Sequence, residues 1–388
     1  MPTAPLTLET KMAEAKLFPT RRLRATPFTP RVEAAGVSGY TVYNHMLLPT
    51  VFNSLEEDYA HLKQYAQIWD VSAERQVQIE GPDAHKLACM ISARDLRNAQ
   101  PGRCYYAPIL DKSGGFLNDP VALCVAPDKF WFSIADSDLL LWVAGIAQGL
   151  NLDVTVTEPD VSPLAIQGPL AEDLLVDVFG EDIRAIKFFR FTAFPFMGRM
   201  LNIARSGWSK QGGFEIYLDD SCLGLALWDA ITAKGAPYNL RAGCPNLIER
   251  IESGLFGYGN DMTNEDTPLE VGLEKFCALD SDAAFIGKDA LLRQRDEGIK
   301  KKLVGLTIEG DAMAAVSMPL PCLKNASKIG IVTSGIYSPD LDSNIAFAML
   351  DISVANVGTV VDVKTSSGMR KAEVCEIRDF ETRLKANA

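Results

Sequence analysis

The sequence predicts a multi-domain α+β protein that ends in a small β-barrel, and three observations lead to this fold class. A chain of 388 residues is longer than one hydrophobic core usually organises, so two or three domains are expected. Helical and strand patterns alternate between Tyr40 and residue 295. From residue 296 onward the chain consists of short β-rich runs separated by Gly, Ser, Asp and Asn.

The same observations divide the chain into three parts. Residues 1–35 are polar, rich in arginine and interrupted by proline, so we expect an N-terminal arm. We expect residues 36–295 to form the α+β region and residues 296–388 to form the barrel domain. The charged stretch RQRDEGIKKK at 293–302 is typical of a boundary between two domains.

Within the α+β region, three stretches carry the clearest patterns. LEEDYAHLKQYAQIWDVS (55–72) has helical spacing of apolar residues, and the alternation in the following RQVQIEGPDA predicts a strand that ends in a turn. FWFSIADSD (130–138) predicts a strand, followed by a helix that Asp138 is placed to cap. SPLAIQGPLAEDLLVDVFG (162–180) predicts a strand, a Gly-Pro turn and a helix.

The C-terminal part contains five β-rich runs. Their alternation and their polar, glycine-containing separators predict a small all-β barrel or sandwich. The runs are KKLVGLTIEG, SKIGIVTSGIYS, SNIAFAMLDI, TVVDVKT and RKAEVCEI.

Charge and composition exclude several classes of function. A net charge of −12 argues against a nucleic-acid partner, because phosphate binding needs a concentrated positive face. The N-terminus lacks the apolar run of a signal peptide, and LLLWVAGIA (139–147) is too short to span a bilayer. The eight cysteines are scattered and form no CxxC, which favours reduced thiols in the cytoplasm and predicts no metal site.

Familiar catalytic motifs are absent from the sequence. It has no G-x-S-x-G, no Walker A loop and no H-E-x-x-H. Of the three histidines, we expect His61 and His85 at the surface and His45 in a structural hydrogen bond. Aromatic residues do lie beside polar, glycine-containing turns in YTVYNHM (40–46), RCYYAP (103–108) and RSGWSKQGGFEIY (205–217). Each could be core packing; together they could form a site for a cation, which ring faces attract.

Several longer segments resemble the glycine-cleavage T-protein, or aminomethyltransferase, family. They follow the family order over nearly the whole chain. The resemblance implies a cloverleaf fold, in which residues 36–295 form a folate-binding catalytic region of two interleaved α+β domains and a small barrel follows. The segments are GGFLNDP (114–120), RSGWSKQGGFEIY (205–217), RIESGLFGYGNDM (250–262), PLEVGLEKF (268–276), FIGKDAL (285–291), LVGLTIEG (303–310) and VTSGIYSPDLDSNIAFAML (332–350).

A narrower resemblance points to the branch of this family that demethylates dimethylsulfoniopropionate. It rests on ATPFTPRVEAAGVSGYTVYNHMLLP (25–49), GRCYYAP (102–108) and SGWSKQGG (206–213). It implies direct transfer of a methyl group to N5 of tetrahydrofolate, with 3-methylthiopropionate and 5-methyltetrahydrofolate as products. Tetrahydrofolate is then the methyl acceptor, a small sulfonium compound is the substrate, and no nucleic acid or membrane takes part; the resemblance leaves a homodimer open.

Two alternatives stay open at this stage. The first is an aminomethyltransferase, or a demethylase of a methylated amine, on the same fold. The second is a non-enzymatic folate-binding protein. Folate-binding relatives of the second kind carry a K-G-C-Y-x-G-Q-E segment, whereas this chain reads SKQGGFEIY without the cysteine, which counts against that alternative.

The resemblance also assigns the residues that would hold the folate. Glu215 matches the glutamate that hydrogen-bonds the pterin ring, which suits a carboxylate facing paired N–H donors. Arg250 matches an arginine near the folate carbonyl or glutamate portion. Asp119 would position N5 or N10, or accept the N5 proton, and is the predicted catalytic residue. The first acid of the family's pair is Asn118 here.

A second set of residues is predicted to bind the substrate. Tyr43, Trp208 and Tyr217 would surround the sulfonium end, with Tyr106 and Ser133 in support. Lys210 and Arg205 would hold the substrate carboxylate. The ordinary alternatives are core packing for the aromatic residues and surface or structural positions for the two cations.

Overall fold

The computed structural model of the chain describes residues 20–387, with side chains to residue 384. Residues 1–19 of the expected N-terminal arm lie outside the described residues. Within the remainder of that segment, Thr29–Ala34 form a helix, and the side chains of Phe28 and Val32 are buried in a hydrophobic cluster. Arg31 forms a bidentate ion pair with Asp229, which attaches this helix to a later one.

Helices and strands alternate in residues 20–280. The helices are α1 (Thr29–Ala34), α2 (Leu55–Leu62), α3 (Ala84–Ile91), α4 (Leu139–Gly149), α5 (Ala171–Phe179), α6 (Gly224–Lys234) and α7 (Leu247–Glu252). The strands are β1 (Gly39–Tyr43), β2 (Met46–Val51), β3 (Gln67–Asp70), β4 (Gln76–Glu80), β5 (Arg103–Tyr106), β6 (Ile109–Leu110), β7 (Phe116–Asn118), β8 (Val121–Ala126), β9 (Lys129–Ser133), β10 (Thr155–Thr157), β11 (Ser162–Gln167), β12 (Phe191–Phe196), β13 (Arg199–Ala204), β14 (Gly213–Leu218) and β15 (Arg241–Gly243).

Two larger sheets share this region, and the chain passes between them. The first has the order β12-β13-β14-β11-β3-β15 and the second the order β10-β4-β9-β8-β5. The chain crosses from the first sheet to the second at residues 71–75, and it returns at residues 158–161. The connection at 71–75 therefore lies where the two sheets meet, and it carries a residue of the site described below.

The C-terminal part is a closed barrel, as the sequence predicts. Helix α8 (Lys288–Glu297) precedes it and α9 (Arg378–Asn387) follows it. The barrel order is β16-β19-β18-β17-β20-β21, and alternate residues such as Leu306 and Val363 fill its interior. Its strands are β16 (Lys301–Ile308), β17 (Leu320–Lys324), β18 (Ser327–Ser338), β19 (Ser343–Asp351), β20 (Val360–Thr365) and β21 (Gly368–Cys375). The mixed α+β class with a terminal barrel is thus confirmed; only β17 was missed, because Pro321 interrupts its pattern.

Two local predictions were wrong in part. The helix expected over 55–72 ends at Leu62, and Gln67–Asp70 form a strand instead. All four residues of that strand are buried because β11 and β15 pair with it on both sides, so the tertiary pairing overrides the helical spacing. Asp138 does precede α4, but its side chain makes no capping hydrogen bond. In the described part of the chain, no helix is long and apolar enough to cross a membrane.

Candidate functional site

A large cavity lies where the two sheets, helix α7 and the barrel meet. Its volume is about 2280 Å³, which exceeds the range of about 300–1,000 Å³ usual for one small ligand. Several predicted site residues reach it from strand ends: Tyr43, Tyr106 and Ser133 are the last residues of β1, β5 and β9. The other predicted residues that line it are Asp119, Trp208, Lys210, Glu215 and Arg250.

Asp119 directly follows β7 and faces this cavity. The hydroxyl of Tyr106 donates a hydrogen bond to its Oδ2 at 3.1 Å. Burial raises the pKa of Asp119 to about 7, against the opposing effect of the Tyr106 hydrogen bond. The carboxyl can therefore exchange a proton near neutral pH, which is what a general base requires.

Asn118 has a structural part in the same turn. Its Nδ2 donates to the carbonyl of Ala135 and to the hydroxyl of Ser137, and its Oδ1 accepts from the backbone N–H of Ala135. A carboxylate could accept but not donate these bonds. The amide therefore fixes the loop after β9 against the turn that holds Asp119.

Glu215 lies in β14 and is 7% exposed. Ser206 donates to its Oε2 at 2.5 Å and Tyr217 donates to the same oxygen at 3.2 Å. Burial raises the pKa of Glu215, while these two hydrogen bonds favour the ionised form. Tyr217 is fully buried and is not among the residues that line the cavity. It lies behind Glu215 and orients the carboxyl.

Glu74 is a third carboxyl of the cavity, and sequence reasoning missed it. It lies in the connection between β3 and β4, near the hydroxyl of Ser133. Burial, and then the charges of Glu215 and Asp119, raise the pKa of Glu74 well above its ordinary value, whereas Ser133 lowers it. Within residues 20–384, none of the three carboxyls has an ion-pair partner. In the sequence, Glu74 is an ordinary charged residue in a turn, so no local signal could have found it.

The cavity also contains positive charges, and one of them, Arg250, is hydrogen-bonded to the barrel. Its side chain is 6% exposed, pairs with Asp261 at 2.8 Å and donates to the Ser334 hydroxyl at 2.5 Å. Its guanidinium also lies 5.7 Å from the ring of Trp208. Trp208 and Arg250 therefore form one unit between the loop 207–212 and the barrel.

A buried glutamate holds the loop that carries Trp208. Oε1 of Glu249 accepts hydrogen bonds from the backbone N–H of Lys210 at 2.8 Å and from the side chain of Gln211 at 3.2 Å. It also accepts from the hydroxyl of Ser253, the residue that follows α7, at 2.8 Å. Glu249 is 1% exposed. Its carboxyl thus fixes the loop to α7, next to Arg250.

The two cations predicted to bind the substrate carboxylate lie differently. Lys210 lines the cavity and pairs with Glu381 of α9 at 2.5 Å. Arg205 pairs with Glu172 at 2.5 Å and is not among the lining residues.

The histidines take no part in the cavity. His61 was expected at the surface but is 6% exposed, with Nε2 2.9 Å from the carbonyl oxygen of Asn239. His85 is half-buried against the carbonyl of Leu96 at 3.0 Å. His45 is exposed. Among the described residues no cluster of His, Cys, Asp and Glu has the arrangement of a metal site.

Comparison with protein families identifies two consecutive matches. The family described as the GCVT N-terminal domain matches residues 28–281. The glycine cleavage T-protein C-terminal barrel domain matches residues 301–377. The second match coincides with the closed barrel, and the first contains the two sheets and every predicted site residue.

Individual relatives give the same picture. The chain is 53% identical over 362 residues to dimethylsulfoniopropionate demethylase DmdA of Ruegeria pomeroyi, covering 93% of this chain and 99% of the relative. It is 30% identical over 360 residues to the aminomethyltransferase of Bacillus pumilus, covering 91% and 97%. The crystal structure of the glycine cleavage system aminomethyltransferase T from Bartonella henselae has a similar fold, with a TM-score of 0.82, 23% identity and coverage of 92% and 98%.

Proposed function

The chain belongs to the glycine cleavage T-protein family, and we propose that it catalyses the tetrahydrofolate-dependent demethylation of dimethylsulfoniopropionate. The products are 3-methylthiopropionate and 5-methyltetrahydrofolate. The observation that carries this proposal is the 53% identity to a demethylase of that name over 93% of the chain, against 30% to an aminomethyltransferase. Tetrahydrofolate is the methyl acceptor.

The cavity offers groups that suit a reduced folate. Glu215 presents a buried carboxyl that is already oriented by Ser206 and Tyr217, and such a group can accept two N–H bonds from a pterin. Arg250 lies in the same cavity with its donors partly occupied by Asp261 and Ser334. These contacts support the assignment of Glu215 to the pterin ring and of Arg250 to a more distant part of the folate.

The reaction forms a nitrogen–carbon bond and breaks a carbon–sulfur bond. Tetrahydrofolate, when bound, supplies the N5 nitrogen that attacks the methyl carbon, and the electron pair of the broken bond stays on sulfur. Because the leaving group is a neutral thioether, which departs easily, the protein contributes mainly orientation. Ionised Asp119 accepts the proton that leaves N5, for which its pKa of about 7 is well suited.

The aromatic residues select and orient the substrate cation. Tyr43, Tyr106 and Trp208 line the cavity together with Ser133. Ring faces attract a sulfonium, but the positive charge leaves sulfur in the transition state. Equal attraction in the ground state would not raise the rate, so these residues should mainly affect KM. Tyr217 acts through Glu215, behind the cavity wall.

The first test is a mass-spectrometric assay of purified protein with dimethylsulfoniopropionate, with and without tetrahydrofolate. We expect both products only when folate is present. Asp119→Asn should lower kcat by about 100-fold, the usual effect of removing a general base. Asp280→Asn, an exposed carboxylate paired with Arg295, is the matched control.

The negative outcomes of this assay separate the alternatives. No product with intact folate binding would reject the sulfonium substrate and direct the search to methylated amines. Product formation without folate would reject the methyl acceptor. A cytoplasmic location and a homodimer stay predictions.

A further inference from the structure

Dimethylsulfoniopropionate carries a carboxylate as well as a sulfonium, and the cavity must supply a cation for it. Three of the cations that line the cavity are already paired. Lys210 pairs with Glu381, Arg250 with Asp261, and Lys302 with Glu376 at 3.7 Å. A charge that is already neutralised gains less from a second anion, so an unpaired cation is the better candidate.

Arg94 is such a cation. It lines the cavity and is half-buried, whereas the other unpaired cations of the lining are exposed. Within residues 20–384 its guanidinium has no ion pair and no hydrogen bond. Its backbone N–H, which donates to Ser92 at 3.0 Å, fixes the chain just after α3. A guanidinium presents two parallel donors that match a carboxylate.

A stack of aromatic rings connects Arg94 to the reacting centre. Its guanidinium lies 5.8 Å from the centre of the Phe276 ring. That ring packs edge-on against Tyr106, with centroids 4.8 Å apart, and the Tyr106 hydroxyl bonds to Asp119. Only two methylene groups separate sulfur from the carboxylate of the substrate. The substrate carboxylate must therefore bind close to the group that serves N5.

The folate glutamate portion fits this position less well. It is separated from N5 by the aminobenzoyl group, so its carboxylates lie much farther from Asp119 than the substrate carboxylate does. Arg250, whose charge Asp261 already pairs, is assigned instead to a neutral acceptor of the folate such as its carbonyl group.

We propose that Arg94, seated on the ring of Phe276, binds the carboxylate of the sulfonium substrate. This inference rests on the proposed function and deepens it, because it makes Arg94 a specificity-determining residue. The enzyme should then distinguish dimethylsulfoniopropionate from sulfonium compounds of the same size that lack a carboxylate. Lys210 and Arg205, which the sequence suggested for this role, are engaged by Glu381 and Glu172.

The test combines two variants of Arg94 with two substrates. Arg94→Gln should lower kcat/KM for dimethylsulfoniopropionate by about 50-fold, mainly through KM, as expected for the loss of a charged hydrogen-bonded pair. Arg94→Lys keeps the positive charge but lacks the two parallel donors of a guanidinium, so it should recover part of that loss. With the neutral carboxamide analogue of the substrate, wild type and Arg94→Gln should have the same kcat/KM. The KM for tetrahydrofolate should not change.

The matched control is Arg103→Gln. Arg103 also lines the cavity and stacks on a tyrosine ring, Tyr105 at 5.4 Å, but is exposed. It should change kcat/KM by less than about threefold, as is usual for exposed charges. Isothermal titration with dimethylsulfoniopropionate in the absence of folate gives a second readout that needs no turnover, and thermal unfolding checks that each variant is folded.

The outcomes are distinguishable. If wild type demethylates dimethylsulfoniopropionate but Arg94→Gln lowers kcat/KM equally for this substrate and for its carboxamide analogue, the inference is wrong and the proposed function stands. If Arg94→Gln raises the KM for folate instead, Arg94 binds the folate glutamate and the inference is again wrong. If wild type does not demethylate dimethylsulfoniopropionate at all, the proposed function fails and this inference fails with it.

Discussion

Tyr106→Phe should move the pH profile of the reaction to higher pH. The Tyr106 hydroxyl donates to Asp119 at 3.1 Å and stabilises the ionised carboxylate. Burial acts in the opposite direction and is the larger effect, so the pKa of Asp119 is about 7. Removing the hydroxyl leaves burial unopposed by this bond. The pKa of Asp119 must then rise, and the base must ionise at a higher pH.

The size of the shift follows from the strength of that bond. A hydrogen bond to a charged group contributes about 1.5–3 kcal/mol, and one pKa unit corresponds to about 1.36 kcal/mol. The distance of 3.1 Å is long for a hydroxyl–carboxylate bond, so the lower end applies. We expect the midpoint to move by about one unit, from about 7 to about 8. At pH 7 this lowers the ionised fraction roughly fivefold, and near pH 9.5 the difference nearly disappears.

The assay is kcat/KM for dimethylsulfoniopropionate between about pH 5.5 and 9.5, because this parameter reports the free enzyme. Tyr238→Phe is the matched control, since the Tyr238 hydroxyl donates to the carboxylate of Asp177 at 2.7 Å on the exposed surface. It should leave the midpoint unchanged. A Tyr106→Phe profile that is lower at every pH but keeps the wild-type midpoint would refute the role of Asp119 as the titrating base.

Three further predictions concern stability and the Trp208 loop. The pKa of Asp119 is higher in the folded than in the unfolded chain, so ionisation of this carboxyl favours unfolding. Asp119→Asn should therefore raise the free energy of unfolding by on the order of 2 kcal/mol at pH 8, and this gain should vanish towards pH 4. An equal gain in thermal unfolding at both pH values would contradict this. Glu249→Ala should raise the KM for the sulfonium substrate by about tenfold, because loop 207–212 loses its hydrogen bonds to α7, and wild-type kinetics would exclude this role. Gly168→Ala should lower the free energy of unfolding by more than about 2 kcal/mol, since φ is +113° and a Cβ would lie 1.9 Å from a carbonyl oxygen. Gly145→Ala, in open space on α4, should raise it by roughly 0.5–1 kcal/mol. Equal midpoints of the two variants in denaturant unfolding would contradict this comparison.

Much of the architecture could be predicted because its signals are local in the sequence. Alternating apolar residues identified five of the six barrel strands, and the strand and helix of 162–180 lie where the pattern placed them. The family resemblance supplied Asp119 and Glu215, which the structure places in one cavity. Their roles stay proposals, and it was the match to the family's motifs that selected them.

Other features depend on which distant segments meet. The segment 67–70 has helical spacing, yet it becomes a strand because β11 and β15 pair with both of its edges. Tyr217 reads as an aromatic site residue and shares a strand face with Glu215, yet its ring is fully buried and does not line the cavity, while its hydroxyl bonds to Glu215. A linear pattern cannot show how far along one face of a strand a ligand will reach.

The sequence by itself determined the family, the barrel and the chemical types of the reacting groups, because these are encoded in local patterns and in ordered motifs. Only the tertiary structure decided how those groups are charged. In the sequence, Glu74 between two strands and Arg94 after a helix look like ordinary charged residues. The raised pKa of Glu74 and the aromatic contact of Arg94 depend on burial and on neighbours that are far away in the chain, since electrostatic energy follows distance and solvent access rather than sequence position.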